Sequence, residues 1–170
     1  MRRRILLVLI LIQPLCCWAA KSRSRDRDEA EYYVSAYARH YGVPPGFVRS
    51  IVQQESGWQT CAISSKGASG LMQIMPETAE RLRVRNRCNI NENVSGGVRY
   101  LAWLMHLFHG DLRLVAAAYY AGEHAVAKRG LNYRNPEVLT YVAQIRALYE
   151  RQEAGRAFNP SPIRPARKSQ

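Results

Sequence analysis

Apolar residues recur at intervals of three and four along most of this chain, which is the spacing of amphipathic helices. The clearest case begins after Asn93, taken as a helix cap, and continues to about His109. One face of that segment holds Val94, Val98, Leu101, Ala102, Met105 and Phe108. The same spacing, with the positions of Gly and Pro, predicts further helices over 29–41, 46–55, 76–83, 112–120, 123–129 and 136–151. Because no run alternates apolar and polar residues as a strand does, the sequence predicts an all-α globule.

The N-terminus has the pattern of a secretory signal. A basic start, Arg2 to Arg4, precedes an apolar run over 5–15, and Ala19 offers the small residue that a signal peptidase reads. A membrane-spanning helix needs about 20 apolar residues, so this run is short for an anchor. We therefore predict a signal peptide over 1–19 and an exported, periplasmic chain, with an uncleaved anchor as the alternative. No second long apolar run follows, so we do not expect an integral membrane protein after signal removal.

Charge and proline content divide the remainder. Residues 20–28 mix basic and acidic side chains and are predicted to be a charged linker, whereas 29–153 should form one domain. Residues 154–170 are basic, contain three prolines and are predicted to be a disordered tail. The formal net charge of +12 suits an anionic partner. Export argues against nucleic acid and for the cell wall or a membrane surface, although the charge would also serve solubility alone.

Two cysteines, Cys61 and Cys88, remain once the signal is removed. In an oxidising compartment such a pair predicts one disulfide, with two separate buried thiols as the alternative. Neither a CxxC motif nor paired histidines accompany them, so we expect no metal site. We expect no cofactor either.

Glu55 stands out as a candidate catalytic acid. It lies three, four and seven residues after Val52, Ile51 and Val48, so its carboxyl group belongs to the apolar face of its helix. Burial raises the pKa of a carboxyl group, and an acid that is still protonated near neutral pH can donate a proton in glycosidic bond cleavage. A structural Glu paired with a buried Arg, or one turned to water at the helix end, is the alternative.

Four motifs follow one another in the order of a known family. They are Glu-Ser at 55–56 with Gly-Ala-Ser-Gly-Leu-Met-Gln-Ile-Met-Pro at 67–76, Asn-Val-Ser-Gly-Gly-Val-Arg-Tyr-Leu at 93–101, Ala-Tyr-Tyr-Ala-Gly at 118–122, and Pro-Glu with Tyr-Val over 136–142. In this combination the chain resembles the soluble lytic transglycosylases, which have a goose-lysozyme-like helical fold. The resemblance covers roughly residues 32–149.

The resemblance implies a peptidoglycan lytic transglycosylase. Such enzymes cleave the β-1,4 bond between N-acetylmuramic acid and N-acetylglucosamine in glycan strands, without adding water. The muramyl C6 hydroxyl attacks its own C1 and leaves a 1,6-anhydro sugar. Glu55 matches the single residue that acts first as acid and then as base. The small size further resembles specialised members that serve a secretion or conjugation machine, with general wall turnover as the alternative.

The resemblance also suggests residues for the substrate groove. Ser64 would lie near the glutamate, while Gln73, Met75, Tyr119 and Tyr141 would bind the sugar, Tyr141 close to Glu55. Each has a structural alternative, which is turn formation for Ser64, capping for Gln73 and core packing for the others. The chain departs from the family where Tyr120 stands in place of the usual Asn and, more mildly, where Val138 stands in place of a commoner threonine.

Two other functions remain open from the sequence. A goose-type lysozyme would use water and a second carboxylate, for which Glu92 and Glu123 are the first candidates. An inactive wall-binding or scaffold protein is the other, and Tyr120 is the only feature that favours it.

Overall fold

The computed structural model describes the backbone of residues 5–130 and 135–158, and the side chains of 23–130 and 135–155. Within those ranges the chain forms seven helices and no β-strand, which confirms the all-α prediction. They are α1 (Ile5–His40), α2 (Pro45–Ser56), α3 (Pro76–Arg81), α4 (Ile90–Leu107), α5 (Leu112–Ala121), α6 (Glu123–Arg129) and α7 (Pro136–Phe158). Two isolated bridges, Ile63 to Ser69 and Ser69 to Ile74, order the loop between α2 and α3.

The core forms where α2 packs against α1 and α7, and where α4 packs against α1 and α5. Its largest fully buried side chains include Phe47 and Ile51 from α2, Leu101 and Leu104 from α4, and Met72 from the loop. Burying such side chains contributes on the order of 1.5–3 kcal/mol each. The apolar face of α2 is thus held on two sides, and that packing fixes the direction of its last turn.

Helix α2 has a defined beginning and end. Pro45 occupies its first position, where a missing N–H costs nothing, and Gly57 ends it in the left-handed conformation with φ of 56°. The carboxyl-terminal turn that carries Glu55 is therefore a regular, capped helical turn.

The prediction that Asn93 caps α4 is wrong. The helix begins earlier, at Ile90, and Asn89 is its cap, with a side chain that accepts a hydrogen bond from the Glu92 backbone N–H at 3.0 Å. Asn93 is fully buried inside the helix. Three asparagines at 89, 91 and 93 precede the apolar run, and each has the side chain that a cap requires.

The segment 20–28, expected as a charged linker, is helical and belongs to α1. Its charges are arranged so that they support the helix and its docking. Arg27 lies 4.0 Å from Glu31 one turn later, and its guanidinium lies 4.0 Å from the centre of the Trp58 ring. Glu31 in turn pairs with Arg49 of α2 at 2.8 Å. Alternating charge therefore marks a helix face that contacts the domain.

At the other end, α7 continues to Phe158, so residues 154–158 of the predicted tail are helical, since the first proline comes only at Pro160. The rest of that tail lies outside the described residues, as does the start of the predicted signal peptide. In the part of the chain that is described, no helix has an apolar stretch long enough to cross a membrane.

A disulfide joins Cys61 to Cys88, as predicted, across 27 residues of sequence. Cys61 lies in the loop after α2, and Cys88 lies just before the cap of α4. The bond therefore fastens the loop between α2 and α3 to the start of α4.

Candidate active site

Glu55 lies in the last turn of α2 with its carboxyl group turned toward the protein interior. Burial raises its pKa to about 7, although a hydrogen bond donated by Tyr141 opposes that rise. No ion pair joins Glu55 to any basic residue among the described side chains. The described side chains therefore hold no structural Glu–Arg pair at position 55, and the raised pKa makes the protonated form of Glu55 accessible near neutral pH.

Tyr141 is the direct partner of Glu55. Its side chain reaches across from α7 and donates a hydrogen bond of 2.5 Å to Glu55 Oε1. Tyr141 is 5% exposed, and burial, followed by the charge of Glu55, raises its pKa well above the usual value. It therefore keeps its proton and remains a donor whether Glu55 is ionised or not.

Tyr119 supports the site from the other side. Its hydroxyl donates a hydrogen bond of 2.7 Å to the backbone carbonyl of Met72. Burial raises its pKa, and the nearby Glu55 charge adds to the rise. Tyr119 thus ties α5 to the loop that ends in Gln73 and Met75, and its hydroxyl is already used by protein. A direct role for Tyr119 in sugar binding stays a prediction.

Ser64 and Gln73 hold the loop between α2 and α3 together. The Ser64 hydroxyl accepts a hydrogen bond of 3.0 Å from the Ala68 backbone N–H, so it shapes its own turn. Gln73 has a positive φ of 47°, and its amide donates to the carbonyls of Ala62 at 2.9 Å and Gly70 at 3.0 Å. These hydrogen bonds lie within the loop rather than at Glu55, and contact of either residue with substrate stays a prediction.

Asn93 is the residue that the sequence interpretation missed. From inside α4 its side chain accepts a hydrogen bond from the Met72 N–H at 2.8 Å and donates to the carbonyls of Ser69 at 3.0 Å and Arg87 at 2.8 Å. The close approach requires glycine at position 70, because a Cβ there would lie 2.2 Å from Asn93 Nδ2. One amide therefore connects α4 to three backbone groups, two in the loop between α2 and α3 and one in the segment just before α4.

A depression of about 480 Å³ lies beside the site. Side chains of the loop, α3, α5 and α6 line it, among them Gln73, Met75, Tyr119, Tyr120 and Glu123. Met75 is 43% exposed, which fits contact with a ligand better than burial in the core. Three of the predicted substrate residues thus lie in one wall.

A second depression of about 400 Å³ lies on the α7 side, where its lining includes Gln54, Tyr120, Glu137, Thr140 and Tyr141. Glu55 is not a lining residue of either depression, but its partner Tyr141 lines this one. Glu137 precedes Tyr141 by one helical turn and is exposed. It is a carboxylate near the site that the sequence interpretation did not weigh.

Both carboxylates proposed for a water-using mechanism are engaged elsewhere. Glu92 is exposed and accepts hydrogen bonds from the N–H groups of Arg85 at 2.8 Å and Asn86 at 3.0 Å, which lower its pKa. Burial would raise the pKa of Glu123, but hydrogen bonds from Arg81 and Tyr100, each 2.7 Å, hold it at about 2. Both carboxylates are therefore occupied by hydrogen bonds to other groups, although Glu123 lines the same depression as Gln73 and Met75.

Comparison with known proteins agrees with this geometry. Residues 32–141 match the family described as Transglycosylase SLT domain. A transglycosylase of Enterobacteria phage PRD1 is 35% identical over 89 residues, which is 52% of this chain and 33% of that protein. Membrane-bound lytic murein transglycosylase F of Pseudomonas fluorescens is 30% identical over 115 residues, covering 60% of this chain and 24% of that one. The chain thus spans a third or less of these relatives.

Solved structures show the same fold. The 70 kDa soluble lytic transglycosylase from Escherichia coli superimposes with a TM-score of 0.63 at 25% identity, over 74% of this chain and 24% of that one. Lytic transglycosylase Slt from Pseudomonas aeruginosa, solved as an inactive mutant, gives a TM-score of 0.65 at 24% identity, over 78% of this chain and 25% of that one.

Proposed function

Since this chain belongs to the Transglycosylase SLT domain family, we propose that it is a peptidoglycan lytic transglycosylase. Its substrate is the β-1,4 bond between N-acetylmuramic acid and N-acetylglucosamine in glycan strands, and its product ends in 1,6-anhydro-muramic acid. The observation that carries the proposal is the environment of Glu55, which is half-buried, has no ion pair among the described side chains and has a pKa of about 7. A single carboxyl group with that pKa can serve as acid and then as base at neutral pH.

In the first step Glu55 donates its proton to the glycosidic oxygen. The bond between that oxygen and the muramyl C1 breaks, and the N-acetylglucosamine side leaves as an alcohol. Glu55 is then a carboxylate, and the hydrogen bond from Tyr141 stabilises this charged form.

In the second step the Glu55 carboxylate accepts the proton of the muramyl C6 hydroxyl. The C6 oxygen forms a bond to C1 and closes the anhydro ring, which returns Glu55 to its acid form. No water is consumed. An attacking group within the same sugar has a large effective concentration, on the order of 10⁵ M or more in favourable geometry.

The engagement of Glu92 and Glu123 by other groups supports this reaction over hydrolysis. A hydrolase of the goose-lysozyme type would need a base that holds a water opposite the leaving group. Glu137 is the carboxylate nearest in sequence to Tyr141 on the same helix. It is therefore the first residue to test should the products prove to be hydrolytic.

We also propose that the chain acts outside the cytoplasm, in the periplasm, after export by the segment 1–19. We further propose that it opens the wall locally for a secretion or conjugation machine. Support comes from the basic and apolar N-terminal pattern and from the disulfide, which forms in oxidising compartments.

The products of purified sacculi test the proposed reaction. Wild-type digestion should release muropeptides that are one water lighter than hydrolysis products and that borohydride does not reduce. Glu55→Gln should lower the rate by about 10²–10⁴-fold, because it removes the proton donor and leaves the shape unchanged. Mass spectrometry of the released fragments gives both results.

Glu150→Gln is the matched control, because Glu150 is exposed on α7 and its ion pair among the described side chains is with Arg146, one turn away. That variant should digest sacculi at the wild-type rate. Reducible muramic acid ends alone, or undiminished digestion by a folded Glu55→Gln protein, would contradict the proposal.

A further inference from the structure

Tyr120 occupies an unusual place between the two depressions. It lies in the last turn of α5, and 44% of its surface is exposed. Among the described residues, it is the one that lines both the depression on the α3 side and the depression on the α7 side. Any molecule that fills both must pass over this ring.

The position of the Tyr120 ring is set by its contact with Tyr141. The two ring centres are 4.8 Å apart and the planes are tilted by 32°. An offset pair of this kind stabilises a defined ring orientation by about 0.5–1.5 kcal/mol. The Tyr120 hydroxyl lies 3.5 Å from Glu137 Oε2, which is long for an O–H···O bond, so the hydroxyl is not firmly held.

The surroundings of the exposed ring match the chemistry of a carbohydrate. On the α7 side, the amide of Gln54 and the hydroxyl of Thr140 lie in the same lining, and on the α3 side Thr78 does so. A sugar ring has an apolar face of C–H groups and an edge of hydroxyl and amide groups. An exposed aromatic face with polar groups on both sides can bind both.

We propose that Tyr120 is a substrate-binding platform that joins the two depressions into one groove across the Glu55–Tyr141 pair. The preferred substrate is then a glycan strand that continues on both sides of the scissile bond, rather than a terminal disaccharide. This inference rests on the proposed function for the class of substrate. Beyond that function, the inference assigns to Tyr120 the selection of longer glycan strands.

Binding to an inactivated protein tests the platform without relying on the product. In the Glu55→Gln background, isothermal titration would use uncross-linked peptidoglycan fragments of two and of six sugars. Adding Tyr120→Ala should weaken binding of the six-sugar fragment by about tenfold, since the ring contact is lost. The two-sugar fragment, which fits one depression, should lose less than about threefold.

Two further variants separate a binding role from a structural one. Tyr120→Phe retains the ring and should restore most of the six-sugar affinity that Tyr120→Ala loses. Tyr32→Ala removes another exposed tyrosine, on α1, where 67% of the residue is accessible, and it should leave both affinities unchanged. Circular dichroism of each variant verifies that the fold is retained.

The inference is overturned if Tyr120→Ala binds the six-sugar fragment as tightly as its parent, or if both fragments lose affinity equally. In otherwise active protein, the change should raise KM for long strands more than it lowers kcat. For Tyr120→Ala, kcat/KM should decline at the same pH as for the wild type. A change in that pH would show that Tyr120 acts only through Tyr141. Reducible products with the same binding pattern would refute the transglycosylase reaction and leave the platform intact.

Discussion

At the scale of single residues, the behaviour of Glu55 depends on two opposed effects. Removal from water favours the neutral acid, and the hydrogen bond from Tyr141 favours the carboxylate. Their balance leaves the pKa at about 7, where both protonation states are accessible. The proton-donating step needs the neutral form, so kcat/KM should decline as pH rises through this value.

Tyr141→Phe should move that decline to higher pH. The variant removes a hydrogen bond that stabilises the carboxylate more than the acid, so the pKa of Glu55 rises and its acid form persists in more alkaline solution. The maximal rate should also fall by about 10–100-fold, because the charged form loses its partner in the second step. The measurement is kcat/KM for sacculus digestion against pH.

Tyr37→Phe is the control for a lost tyrosine hydroxyl, since Tyr37 bonds to Asn91 far along the chain from Glu55. Its pH profile should match that of the wild type. A decline for Tyr141→Phe that stays in place or moves to lower pH would show that the hydrogen bond does not set the pKa of Glu55.

At the scale of elements, Asn93 connects α4 to the loop that forms the groove wall. Asn93→Ala should lower the free energy of unfolding by about 2–5 kcal/mol, because three backbone groups lose their partner and two of these hydrogen bonds are buried. The Asn93→Ala variant should also have lower activity, because Met72, whose carbonyl accepts the Tyr119 hydrogen bond, is no longer held in place. Urea unfolding at equilibrium measures the stability change.

Ser95→Ala, two residues along the same helix and only partly buried, is the matched control and should change stability by less than about 0.5 kcal/mol. An Asn93→Ala protein that unfolds at the wild-type urea concentration would mean that water or a loop shift replaces the three hydrogen bonds.

At the scale of the whole molecule, the disulfide restricts the number of conformations that the unfolded chain can adopt. It closes a loop of 27 residues, so its loss should lower the free energy of unfolding by about 3–4 kcal/mol in the chain-entropy description. Urea unfolding with and without reductant measures this difference. The Cys61→Ser, Cys88→Ser double variant should resemble the reduced protein and should not respond to reductant. An unchanged midpoint on reduction would show that the cross-link contributes little.

The sequence by itself determined the features that depend on neighbours along the chain. Helix positions follow from apolar spacing, and that spacing also placed Glu55 on the buried face of α2. The order of the motifs indicated the family, and the count of cysteines indicated the disulfide. These properties depend on neighbouring residues or on composition, so the linear sequence is enough to predict them.

Only the tertiary structure decided what depends on residues far apart in sequence. From sequence, Asn93 is predicted to be a helix cap. In the folded chain its side chain is hydrogen-bonded to the backbone of Ser69, Met72 and Arg87 instead. From sequence, the segment 20–28 is predicted to be a linker. In the folded chain it is helical, and Arg27 packs over the Trp58 ring.

Contacts between residues far apart in sequence also decide the role of Glu123 and the position of Tyr120 in the groove. In sequence Glu123 is a candidate second carboxylate for a water-using mechanism, yet Arg81, 42 residues earlier, holds it as a structural ion pair. Tyr120 is only a departure from a motif until α5 and α7 place it between two depressions. Burial and hydrogen bonding are set by the packing of separate helices, and apolar spacing within one helix does not specify which residues of another will meet it.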